Sequence, residues 1–113
     1  MKFLCLAYGD EAGWKALSKD EQQELLMHDA VIRDRGNLVS AVQTTVTSVR
    51  NPNLNLDVSD GPYPQHQLPL AGFSVIEADN IDEVVELVAN TPCARAGGVI
   101  DIRPLWDLAK GGA

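Results

Sequence analysis

Two helix starts, each set between apolar extended stretches, constrain this chain more than anything else in it. Ser18-Lys19-Asp20-Glu21 has the spacing of a capping box, with a serine at the N-cap and a glutamate three residues on. Asn80-Ile81-Asp82-Glu83 repeats that logic, and Ile81, Val84, Val85 and Val88 recur at i, i+3, i+4 and i+7, the stripe of an amphipathic helix. The first helix is predicted over residues 19–35, closed by Gly36-Asn37, and the second is stopped by Asn90-Thr91-Pro92. Ahead of the first, residues 2–8 put Phe3, Cys5 and Ala7 on one face and Leu4, Leu6 and Tyr8 on the other, as in a strand buried on both sides. Residues 9–13 then read as a loop. Extended segments follow at 38–40 and at 44–50, and the turn-forming Asn51-Pro52-Asn53-Leu54-Asn55 folds the latter into a hairpin with 54–59. Residues 73–78 lead into the second helix, and residues 98–103 alternate as a last strand.

That order is two β-α-β units joined by a hairpin insertion, the pattern of a ferredoxin-like α+β sandwich, βαββαβ with an added hairpin. Both helices are expected on one face of an antiparallel sheet. The strands at 2–8 and 73–78 are apolar on both faces, so homodimerisation through the other sheet face is expected. A length of 113 residues suits one domain, residues 1–113, with a core of its own. No apolar run approaches the ~18 residues of a membrane span. The opening apolar run meets Gly9-Asp10-Glu11 and reads as a first strand, not a signal peptide. Net charge is −7, and between Asn51 and Ala94 there are acidic residues but no Lys or Arg, which disfavours a nucleic-acid partner. Cys5 and Cys93 lack any CxxC spacing, so free thiols in a reducing cytoplasm are expected.

Asp60-Gly61-Pro62-Tyr63 is the least accidental short motif, because Gly61 frees the backbone and Pro62 fixes φ, holding a carboxylate and a ring at set positions. Together with Tyr8-Gly9-Asp10-Glu11, Trp14, Leu17-Ser18, Gly72-Phe73 and Ile102-Arg103-Pro104, it resembles the YCII-related proteins, in the branch named for its Asp-Gly-Pro-Phe motif. The resemblance spans nearly the whole chain. It implies a ferredoxin-like protomer in a dimeric α/β barrel, bacterial and cytoplasmic, with an active site between helix and sheet and no settled activity. Relatives usually continue the motif with Ala-Glu-Thr-Lys-Glu, where this chain has Pro64-Gln65-His66-Gln67-Leu68, and Tyr63 stands in place of phenylalanine. Roles of those charged residues do not transfer to Gln65 and Gln67.

Asp60 is a candidate acid–base group, set against the plainer reading of an Asx-type turn. His28 lies three residues after Leu25 and four before Ile32, on the face that packs toward the sheet, and could meet Asp60 across a cleft. The resemblance adds that more distant relatives carry a histidine and an aspartate thought to act together. The plainer reading of His28 is a hydrogen-bonded core residue. Asp29 flanks the same stripe and is expected to be exposed at the helix edge. Tyr63 and His66 are candidate ligand contacts, with packing the alternative for the ring. Two histidines without short spacing predict no metal site, and no phosphate loop, nucleophile elbow or dinucleotide fingerprint points to a cofactor. Two functions follow as expectations: a homodimeric, lyase- or isomerase-like enzyme moving a proton on a small molecule through His28 and Asp60, or a non-catalytic regulatory module with a protein partner. The second rests on the resemblance, which links such proteins to transcription.

Overall fold

The computed structural model describes residues 1–61 and 68–106. Its main sheet has four strands, β1 (Lys2–Tyr8), β2 (Leu38–Ala41), β5 (Leu70–Glu77) and β6 (Val99–Pro104), in the order β2-β5-β1-β6 with every pair antiparallel. A separate two-stranded ribbon pairs β3 (Thr47–Arg50) with β4 (Asp57–Asp60). Helices α2 (Lys19–Asp34) and α3 (Ile81–Val88) cross over between β1 and β2 and between β5 and β6. This is the expected ferredoxin-like arrangement with its added hairpin.

Local chemistry sets the bounds of the long helix. At its start the capping box is complete, with Glu21 N donating to Ser18 Oγ and Ser18 N to Glu21 Oε1, each at 3.1 Å. At its end Gly36 turns the chain at φ +87°, a left-handed value that a residue with a Cβ adopts at a cost. Asn37 then ties the helix to the sheet, its Nδ2 donating to Ile32 O and its Oδ1 accepting from Glu77 N. Arg35 adds an ion pair to Glu83 at the foot of α3, 2.9 Å long.

Several boundaries depart from the sequence reading, among them the start of β3 at Thr47 instead of 44 and of β5 at Leu70 instead of 73. A short helix, α1 (Glu11–Lys15), occupies part of the expected loop, because Asp10 Oδ1 caps it by accepting from Gly13 N at 2.8 Å. Beyond α3, Pro92 both ends one helix and begins another, α4 (Pro92–Arg95), a position where its missing N–H costs nothing. In the ribbon, residues 52–54 form a 3₁₀ turn with Asn53 and Leu54 at positive φ, which delays β4 until Asp57.

The core lies where the helices meet the sheet. Phe3 and Ile76, paired across β1 and β5, are buried against Ile32 of α2 and Val84 and Val88 of α3. Each of these large side chains contributes about 1.5–3 kcal/mol by leaving water. On the opposite face Leu4, Leu6, Phe73 and Val75 are only half-buried and Leu38 is exposed. No helix among the described residues is long and apolar enough to cross a membrane.

Candidate functional site

Strand register makes the inward face of the sheet uneven. At one end stand Phe3 and Ile76, and at the other a row of small residues, Ala41, Gly72 and Ala7, crosses β2, β5 and β1. A middle row places Ser74 and Cys5 side by side. Gly72 cannot enlarge without movement, since a Cβ there would lie 2.7 Å from Ser40 O on the neighbouring strand. Under α2, large side chains fill one end and small ones leave a hollow over the other.

That hollow is a cavity of about 440 Å³. Cys5, Ala7, Gly72 and Ser74 line it from the sheet, and Leu26, Asp29 and Ile32 from α2. Val88, Thr91 and Cys93 approach from α3 and α4, and Trp14 and Asp10 from the segment after β1. A volume of that size falls in the range of small-molecule sites, about 300–1,000 Å³.

Asp29 is the chemically distinctive group on the wall. It is half-buried, and burial pushes its carboxyl above the ordinary carboxylate range, an effect partly offset by Arg33 and His28 on the same helix. The Cys93 thiol is pushed up as well, first by burial and then by the negative charge of Asp29. Cys5 is raised by burial, with a hydrogen bond to Ser74 working the other way. Both cysteines are free thiols, as expected. A carboxyl held on an apolar wall in this way can exchange a proton with a bound molecule nearer to neutral pH than a solvated aspartate can.

The expectation that Asp29 is exposed at the helix edge is corrected by this geometry. Its spacing, four residues after Leu25 and three before Ile32, already carried the signal, because those two residues are buried and Asp29 shares their side of the helix. His28, singled out from the sequence, is half-buried on α2 but does not line the cavity. Asp60 is exposed at the end of β4, opposite Thr47, and does not line it either. His28 and Asp60 stand on different units, and no hydrogen bond or ion pair joins them within the chain. Tyr63 and His66 lie outside the described residues.

Comparison with known proteins decides the family. A model of the YCII-related domain matches residues 1–109. The chain belongs to the YCII-related family. An uncharacterized protein of Rhizobium meliloti (strain 1021) is 25% identical to this YCII-related chain over 114 residues, covering 93% of the chain and 92% of the relative. Among solved structures, the 5-chloro-2-hydroxyhydroquinone dehydrochlorinase of Burkholderia phenoliruptrix, in complex with 2,5-dihydroxybenzoquinone, is similar at 17% identity and a TM-score of 0.48, with 92% of each chain covered.

Proposed function

We propose that this YCII-related protein binds a small, largely apolar molecule in the cavity between helices and sheet and moves a proton on it, in the manner of a lyase or isomerase. The observation that carries this reading is a half-buried carboxyl, Asp29, on the wall of a cavity otherwise lined mainly by apolar side chains. Asp29 is the acid–base group in this account. His28, its neighbour in the chain, tunes it by charge, and Asp60 on the ribbon takes part only if a second copy brings it to the cavity.

The same proposal includes a cytoplasmic homodimer that covers the open sheet face. Support comes from Leu4, Leu6, Phe73 and Val75, an apolar strip on the sheet face away from the helices that is only half-buried among the described residues. Phe73→Asp places a charge in that strip, and sedimentation velocity should then show monomer where the unmodified chain shows dimer. A monomeric unmodified chain would remove the dimer from the account.

Proton transfer is tested by incubating the protein in D₂O with a panel of small carbonyl compounds and following exchange at carbon by proton NMR. Exchange above background that disappears in Asp29→Asn is the expected result. Exchange that persists in that variant would exclude Asp29 as the acid–base group.

A second reading, a non-catalytic module docking a protein partner, is favoured by one feature. Val49, Leu54, Leu56 and Val58 on and beside the ribbon are exposed, Leu54 at 92%. Isothermal titration against stoichiometric partners recovered from the native cell separates this reading from the enzymatic one.

A further inference from the structure

We infer that the molecule bound in the cavity is a cation, a protonated amine carried on a compact apolar or aromatic body. This deepens the cavity reading and rests on it, but it does not require Asp29 to move a proton. The charged side chains lining the cavity among the described residues are Asp10, Glu11 and Asp29, all acidic, with no Lys, Arg or His. Two of the three are already engaged. Asp10 caps α1 through the N–H of Gly13, and Glu11 pairs with Lys15 at 2.8 Å in solvent.

Asp29 differs from both. Among the described residues its carboxylate has neither a hydrogen bond nor an ion pair, although the residue is half-buried. Arg33 lies one turn further along α2, exposed, and His28 adjoins it in the chain, and both act on Asp29 through space without closing an ion pair. From α4 it faces Cys93, whose raised thiol stays neutral at ordinary pH and supplies no counter-charge. A partly desolvated carboxylate without a bonded partner is a position that a ligand ammonium fills well.

Two further observations point the same way. Trp14, half-buried, is the indole on the cavity wall, and an indole face attracts a cation. The chain as a whole carries a charge of −7, a field that draws cations toward a cleft and repels anions from it. An anionic ligand would meet like charge at the wall and a net negative charge on the chain.

The test uses three matched probes on the full chain at pH 7: phenethylamine, 2-phenylethanol and 3-phenylpropanoate, followed by saturation-transfer NMR and titration. The amine should bind at least about tenfold more tightly than the alcohol, and the carboxylate should not bind. Asp29→Asn should bring the amine down to the level of the alcohol and leave the alcohol unchanged. Trp14→Leu should weaken the amine more than the alcohol, and circular dichroism checks that each variant is folded. Equal binding of amine and alcohol, blocked for both by Ala7→Phe, would overturn the charge inference and leave the cavity as the site. Binding of the carboxylate as tight as that of the amine would overturn it as well. If no probe binds, or if Ala7→Phe changes nothing, the cavity reading and this inference fall together.

Discussion

The two ends of the helix–sheet layer are built on the same strands yet differ in what fills them. At one end Phe3 and Ile76 face Ile32 and Val84, all nearly inaccessible to water. At the other, Ala41, Gly72 and Ala7 leave a cavity of about 440 Å³ under α2 and α4. One sheet thus serves stability with large side chains and recognition with small ones. The packed end anchors both helices, so the hollow end can keep its space and a desolvated carboxyl without loss of the fold.

This contrast breaks most visibly at the packed end. Phe3→Ala should lower unfolding free energy by about 3–5 kcal/mol in urea, because the lost transfer energy and a new cavity add there. Little change would mean that the packed end is not the anchor. Gly72→Ala probes the hollow end, which is open to side chains but closed to backbone enlargement. With Ser40 O only 2.7 Å from the added methyl, a loss of about 1–3 kcal/mol is expected by the same assay. Ala7→Leu, one strand away, projects into the cavity and should cost less than about 1.5 kcal/mol while displacing any bound amine.

The smallest effect has the opposite sign. Burial raises the Asp29 carboxyl, so the folded chain holds that proton to higher pH than the unfolded chain does. Its contribution is complete below the unfolded value and is lost as pH rises through the raised folded value. Asp29→Asn removes that loss. Its stability relative to the unmodified chain should therefore be higher at pH 7 than at pH 4, measured by urea unfolding at both.

Much of this contrast is legible in the sequence. The capping box at Ser18, the N-cap at Asn80 and the alternation of residues 2–8 mark the two crossover helices and the central strand, and put Phe3, Cys5 and Ala7 on one face of it. Small residues at Ala7, Ala41 and Gly72 are also visible in the sequence, but only the strand register sets them side by side. Asp29 was misread because His28 fits the apolar stripe equally well by spacing, and one residue of helical rotation decides which of the two turns into the cavity. The turn chemistry at Asp60 reports how the backbone bends and not where the ribbon sits. The short helices α1 and α4 leave no periodic signal, because a single turn is too short to show one, and only Asp10 and Pro92 mark their starts.

The central claim is that the row of small residues keeps a ligand site open beside Asp29. Crystals soaked in a mixture of small aromatic fragments test it most directly. Fragment density over Ala7 and Gly72, with a polar group directed at Asp29, is the expected result. A cavity closed by neighbouring side chains, or fragments bound only elsewhere, would contradict it.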